Sequence, residues 1–299
     1  AGGPAYRGVS FRDFVVRGAS FEHVAEHLWT ADERGTSWPV LSEAAIDVLG
    51  RLPRGIPCLS AMLATSAWPG IVALGEPLAE ARSLVRALAA SIGVAYGGSS
   101  VDVRDEPIAV TFLRATQCEV TPERHRAIDR ALVTSADHEL NPSTFAARIA
   151  ASAGADLSAC VAAALATMTG ALHGGESERL ERLIAAIEQE PSLLGKTLDA
   201  DARIPGFGHP LYPSGDPRAV VLMEGARPEG PLRALVERAA EPPSFDAGMV
   251  AFRQAWGLPR GAASALFALG RTAGWIAHAM EQRAVGVILR PRARYVGKE

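Results

Sequence analysis

The sequence predicts an all-α fold, and three observations predict it. Apolar residues recur at helical spacing along most of the 299 residues, alternating strand patterns are nearly absent, and the breaks between periodic runs carry helix-start and helix-stop residues. Phe21, Val24, Ala25, Leu28 and Trp29 fall at i, i+3, i+4, i+7 and i+8, one face of an amphipathic helix. Leu41 to Leu52, Leu78 to Ile92 and Pro122 to Ser135 also read as helices. Asn141-Pro142-Ser143-Thr144 opens the next, with Asn at the N-cap and Pro in the first turn, and it runs on through Ala146, Ala147, Ile149 and Ala150. Leu157 to Leu172 follows and is stopped by Gly174-Gly175. This is the longest weakly polar stretch, but its Ala, Ser and Thr content and the nearby Arg148 and Asp156 make it a buried helix rather than a membrane span. A charged helix, Glu178 to Gln189, ends before Pro191. Gly206 to Pro210 and Pro213 to Pro217 are too broken for regular structure. A helix after Asp246, a break at Gly257-Leu258-Pro259 and a long helix from about Gly261 to Gln282 complete the chain.

Composition narrows the function. Hydrophobic residues at 48% and charged residues at 21% describe a packed globular protein. A net charge of -3 gives no electrostatic footprint for nucleic acid or an anionic membrane. Lys196 and Lys298 are the only lysines among 30 basic residues. In so alanine-rich a chain this reads first as codon bias, and second as a demand for forked anion binding. The start, Ala1 to Tyr6, lacks a basic segment and an apolar core, so no signal peptide is expected and the protein is expected to be cytoplasmic. Cys58, Cys118 and Cys160 are far apart and odd in number, with no C-x-x-C spacing; all three are expected to be buried and reduced. From about Glu176 to Trp256 the chain is richer in charge, Pro and loops than its flanks, which points to a smaller lobe inserted into, or hinged on, a larger helical one.

Several polar residues stand where regular structure breaks. His23-Val24-Ala25-Glu26-His27 matches an H-x-x-E-H zinc pattern, but the apolar face defined by Phe21, Val24, Ala25 and Leu28 leaves both histidines, Glu22 and Glu26 on an expected solvated flank, and no metal site is assigned. Gly206-x-Gly208 is an incomplete dinucleotide fingerprint and follows no strand. His138 precedes the capped helix, His173 ends the Ala-rich helix and His209 lies in the Gly/Pro loop. Asp246 stands at a helix N-terminus, where the dipole and free N–H groups are expected to keep a carboxylate ionised. Arg271 interrupts an apolar helix between Gly270 and Gly274. A guanidinium buried there needs an anionic partner, and a ligand carboxylate could supply it. Neutral-range acid/base groups with isolated arginines suit proton transfer on an anionic substrate.

Taken together, these motifs resemble the citrate synthase family. The resemblance is carried by Asp137-His138-Glu139-Leu140-Asn141-Pro142-Ser143-Thr144-Phe145, Leu172-His173-Gly174-Gly175, Pro205-Gly206-Phe207-Gly208-His209, Asp216-Pro217-Arg218-Ala219, Gly270-Arg271-x-x-Gly274-Trp275 and Arg290-Pro291-Arg292, with Tyr6-Arg7-Gly8 near the start, in the family's order along the chain. It implies an all-α protein with a large helical domain, 1–174 and 258–299, and a small one, 175–257, closing over a cleft. It implies condensation of an acyl-CoA with oxaloacetate, then thioester hydrolysis, with acyl-CoA a substrate and no cofactor. By motif, Asp246 would take the α-proton, His173 would stabilise the enolate and His209 would polarise the ketone. His138, Arg218, Arg271 and Arg290 would hold the carboxylates, Arg290 reaching in from the other subunit of a homodimer. Pro205, Gly206, Phe207 and Gly208 would form the CoA site.

The chain also departs from the family pattern. Pro210 and Pro213 stand where basic residues contact CoA phosphates, and Glu176-Ser177-Glu178 replaces Ala-Asn-Glu, bringing a negative charge expected to disturb the hinge or an anionic ligand's approach. Loops around Gly97–Glu106 and Leu198–Arg203 are short for the family. Two alternatives stay open: a 2-methylcitrate synthase using propionyl-CoA, and a non-catalytic homologue that binds carboxylates.

Overall fold

Arg7 and Gly8 both take positive φ, 46° and 86°, as a two-residue type I′ turn requires, and join β1 (Ala5–Tyr6) to antiparallel β2 (Val9–Ser10). In the computed structural model, which describes residues 2–30, 38–68, 71, 75–98, 105–200 and 202–297, the rest of the regular structure is helical. Of the two loops expected to be short, residues 99–104 and 201 lie outside the described residues.

The first half of the chain gives α1 (Phe11–Val16), α2 (Phe21–Thr30), α3 (Glu43–Arg51), α4 (Cys58–Ser66), α5 (Pro77–Ala95), α6 (Ile108–Ala115), α7 (Pro122–Ser135), α8 (Pro142–Ser152) and α9 (Leu157–Met168). Caps fix several of these starts. Ser10, Ser42, Glu76, Thr121, Asn141 and Asp156 each accept a hydrogen bond from a backbone N–H of the first turn they precede. The expected helix 157–172 stops at Met168, because His173 N and Gly175 N both fold back onto Gly170 O. His173 is therefore presented by a turn and not by the helix end.

The segment richer in charge and Pro contains α10 (Glu176–Gln189), α11 (Ser192–Asp199), α12 (Pro217–Met223), α13 (Gly230–Arg238) and α14 (Phe245–Ala255). Within it α14 packs on α12 and α10, and α13 on α10 and α11. The final helix, α15 (Ala262–Val285), lies against α2, α7, α8 and α9 on one side and meets α10 and α14 on the other. One contiguous apolar core runs through both groups. Gly270 and Gly274 let α15 touch the end of α7. A Cβ on Gly274 would sit 2.5 Å from Ala136 O, the oxygen that its own N–H bonds at 2.9 Å, and one on Gly270 would sit 2.6 Å from Ser135 Cβ.

Two expectations are corrected here. The flank of α2 is not solvated: His27 and Glu26 are buried, His27 Nε2 lies 3.0 Å from Tyr6 O, and Glu26 takes a forked pair of bonds from Arg82 and one from Trp38 Nε1. The β1–β2 hairpin and Trp38 cover that flank, which helix periodicity alone does not reveal. Cys58 and Cys160 are buried, but Cys118 is only half-buried, and all three thiols are free. No described helix is long and apolar enough to cross a membrane.

Candidate active site

A cavity of about 350 Å³ opens between the end of α7, the start of α8, the 169–175 turn, the Gly206–Pro217 loop and helices α14 and α15. His138, His173, His209, Arg218, Asp246 and Arg271 all line it, with Phe245 and Phe267 as apolar wall. Residues 138 to 271 thus converge on one space, although up to 133 positions separate them in sequence.

Burial drives the histidines toward their neutral forms. His138 is pushed down to about 2 by burial and by the nearby charges of Arg218 and Arg271, and its Nε2 lies 2.9 Å from the Tyr212 hydroxyl. His173 is pushed down to about 4 by burial and then by Arg271. Its Nε2 lies 2.8 Å from Ser143 Oγ, which also accepts from Trp275 Nε1 at 3.2 Å and lies 2.8 Å from Asn141 Oδ1. The Ser143 hydroxyl has a single proton. Asn141 Oδ1 can only accept, so that proton goes to it; turned to His173 Nε2 instead, it leaves the ring proton on Nδ1 for a ligand. His209 is also lowered, chiefly by burial and then by Arg218. Leu211 N–H donates to its Nδ1 at 3.2 Å, so the proton of the neutral ring sits on Nε2 as a free donor. The rings of His138 and His209 meet edge to face, with centroids 5.6 Å apart.

The carboxylate behaves differently from the sequence expectation. Asp246 lies in the first turn of α14, yet its carboxyl is raised to about 6. Burial is the main cause; Glu176 and Asp216 add to it, while the Ser177 hydrogen bond and Arg218 oppose it. Desolvation outweighs the helix terminus, so the expectation of a carboxylate held ionised by the dipole is corrected in direction.

The two arginines are unequal. Arg218 makes a forked pair with buried Asp216, Nε to Oδ1 at 3.0 Å and Nη2 to Oδ2 at 2.6 Å, and lies 4.6 Å from the Phe245 ring centroid. Asp216 also caps α12 and accepts Phe245 N–H at 3.2 Å. Arg271 is 1% exposed; Nε donates to Ser135 O at 2.7 Å, and Nη2 has no hydrogen-bond partner among the described residues. Burial lowers it to about 10. A buried donor left unmatched beside a cavity is a site prepared for an acceptor.

The remaining predicted residues lie outside this cavity. Arg290 is exposed in the segment after α15 and does not line the cavity of a single chain. Pro205, Gly206, Phe207 and Gly208 form the ledge leading to His209, and their backbone groups are held internally. Gly206 N–H donates to Glu176 Oε2 at 3.0 Å, Gly208 N–H to Pro242 O at 2.9 Å, and Arg203 donates to Phe207 O and Gly208 O. Phe207 helps line a separate cavity of about 310 Å³. Glu176 does not stand as a loose negative charge: it is buried between Arg179 at 3.0 Å, Arg203 at 3.5 Å and Gly206 N–H. Sequence reasoning assigned no role to Ser143, Ser177, Tyr212 or Asp216. Asp216-Pro217, a helix start in its own right, was the one local signal among them.

Comparison with known proteins gives the family of the chain. A family model described as citrate synthase, C-terminal domain, matches residues 1–292. The 2-methylcitrate synthase of Shewanella oneidensis is 29% identical over 339 aligned positions, covering 99% of this chain and 89% of that protein. Citrate synthase 2 of Bacillus subtilis is 32% identical over 214 residues, 65% of this chain, and the match spans only 57% of that relative's length. The structure of the ternary complex of citrate synthase from Thermoplasma acidophilum with carboxymethyl coenzyme A and oxaloacetate superposes with a TM-score of 0.81, at 24% identity, over 100% of this chain and 91% of that one. By its family model and its fold, the chain belongs to the citrate synthase family.

Proposed function

We propose that the chain condenses acetyl-CoA with oxaloacetate, giving citrate and free CoA. One observation carries the reading: a buried carboxylate, two neutral imidazoles and an unmatched buried guanidinium share a single cavity. Asp246 removes a proton from the acyl methyl carbon as His173 donates to the thioester oxygen, so that charge forming on oxygen is met as it forms. The nucleophilic carbon attacks the ketone of oxaloacetate, whose oxygen takes the proton of His209 Nε2. Water then hydrolyses the thioester. His138, Arg218 and Arg271 hold the dicarboxylate, and the Thermoplasma relative, whose complex holds oxaloacetate with a CoA analogue, supports this substrate pair. Pro205, Gly206, Phe207 and Gly208 border the CoA site.

The same proposal covers assembly and motion. Residues 175–257 act as a small domain that closes on 1–174 and 258–299 and excludes water from the enolate. Two copies associate, and Arg290 enters the partner's cavity. The exposed Val287, Ile288, Tyr295 and Val296 on the same segment give it an apolar face for that contact.

Thiol release tests the reading. The wild type should release CoA from acetyl-CoA only with oxaloacetate present, and Asp246→Ala should abolish it. Oxaloacetate binding without thiol release favours the carboxylate binder. Equal or higher turnover with propionyl-CoA overturns the citrate assignment.

A further inference from the structure

Asp246 is fastened by a single side chain. Ser177 is 0% exposed in the first turn of α10, and its hydroxyl donates to Asp246 Oδ1 at 2.7 Å, the one hydrogen bond that carboxylate receives among the described residues. The proposed reaction gives Ser177 no chemical part. Its place in the fold gives it another. An aspartate's terminal torsion is broad, so packing alone does not fix the plane of the carboxylate. A hydrogen bond to Oδ1 fixes that plane and leaves Oδ2 as the oxygen free to take a proton. Ser177 lies four residues beyond His173 on the backbone that folds at Gly170, and its neighbour Glu176 holds Gly206 N–H, three residues before His209. The base and both imidazoles are therefore registered against one short piece of chain.

We propose that Ser177 is the positioning residue of the base: it locks the Asp246 carboxylate so that one oxygen is anchored and the other is presented to the acyl carbon. The inference rests on the reading of Asp246 as the base. The other groups facing Asp246 are Glu176 on α10, Asp216 and Arg218 at the start of α12, and His173, His209 and Arg271 around the cavity. None of these charges changes when the hydroxyl is removed.

The test compares wild type with Ser177→Ala, Ser177→Cys and Ser177→Thr. Thiol release is followed across pH, and the Asp246 carboxyl is titrated by carbon-13 NMR, assigned with Asp246→Asn. Ser177→Ala should lower kcat about 10- to 100-fold at neutral pH, with the KM for oxaloacetate within about twofold. Its acid limb and its Asp246 titration should both move up by about one pH unit. Ser177→Cys, a weaker donor of similar size, should fall between, and Ser177→Thr should restore much of the rate. Should Ser177→Ala fail to fold, Ser177→Cys carries the same readouts with a smaller shift. An unchanged kcat overturns the proposal. So does a lowered kcat with an unmoved Asp246 titration, which is what a packing defect would give. A wild type that releases no thiol refutes the assigned reaction instead, while the titration still decides whether Ser177 governs Asp246.

Discussion

Replacing Arg271 with methionine should strengthen the fold and ruin the site. The guanidinium is 1% exposed, one of its terminal nitrogens has no partner, and burial lowers it from its ordinary range to about 10. That displacement corresponds to about 3 kcal/mol held against the charged form. Methionine is unbranched, apolar and close to arginine's stem in length, so it removes the buried charge without opening a large void. The loss is the bond from Arg271 Nε to Ser135 O at 2.7 Å, about 1 kcal/mol. The net expectation is a gain of about 1–2 kcal/mol, a rise in Tm of about 2–4 °C by calorimetry. Binding should move the other way. A forked, charge-assisted pair to a carboxylate is lost and a ligand anion is left unmatched, so oxaloacetate affinity by titration calorimetry should fall at least about 100-fold. A lowered Tm with affinity within about twofold of wild type would refute the reasoning and make Arg271 a structural cation.

Three further outcomes follow from the same geometry. The folded-state pKa of Asp246, about 6, lies above its unfolded value near 3.8, so its ionisation opposes folding. That cost is absent below about pH 4, grows from pH 4 to 6 and is complete above. Asp246→Asn should therefore stabilise the protein at pH 8 by up to about 2 kcal/mol and leave it unchanged at pH 4, as denaturant curves at the two pH values will show. Glu176→Ala should unfasten Arg179, Arg203 and Gly206 N–H together, costing about 2–4 kcal/mol and speeding amide exchange along 206–209, and protection equal to wild type there would contradict the assigned anchor. Gly274→Ala should force α15 away from Ala136 O, destabilise by about 1–3 kcal/mol and lower oxaloacetate affinity through the displaced Arg271, and an unaltered melting curve with full affinity would count against that close packing.

Which features were legible depends on how far away their physical cause lies. The starts of α7 and α8 are written locally, in Thr121-Pro122 and Asn141-Pro142, and the helices begin there. Helix α6 is only eight residues long and buried from Ile108 to Leu113, so its apolar run is too short for periodicity to separate helix from strand. His27 looked solvated because the residues that cover it, Tyr6 and Phe14, come from the preceding hairpin and α1. The lining of the cavity was readable because each of its polar residues interrupts a regular element. The groups behind that lining were not. Ser177 acts on a residue 69 positions away and Ser143 on one 30 away, spacings no local pattern encodes. The upward shift of Asp246 was missed for the same reason: a helix terminus is visible in sequence, and desolvation by neighbouring helices is not.

The charge states of the site form one connected arrangement. Burial moves His138, His173, His209 and Asp246 all toward their neutral forms, and the cations beside them hold the histidines lower still. Of the two guanidiniums, Arg218 is already matched by Asp216, so the unmatched charge facing the cavity is that of Arg271. A dicarboxylate entering this space meets cations and no ionised histidine. Once bound, it offsets the Arg218 charge that depresses His138 and His209 and the Arg271 charge that depresses His138, so those imidazoles become easier to protonate when such an anion is in place. Asp246 lies farther from compensation: its neighbours Glu176 and Asp216 already carry charges of its own sign, and a bound dianion raises its proton affinity further. A bound anion thus raises the proton affinity of Asp246 and of these imidazoles together, through electrostatics fixed by the packing of α15 against α7 and of α14 against α12.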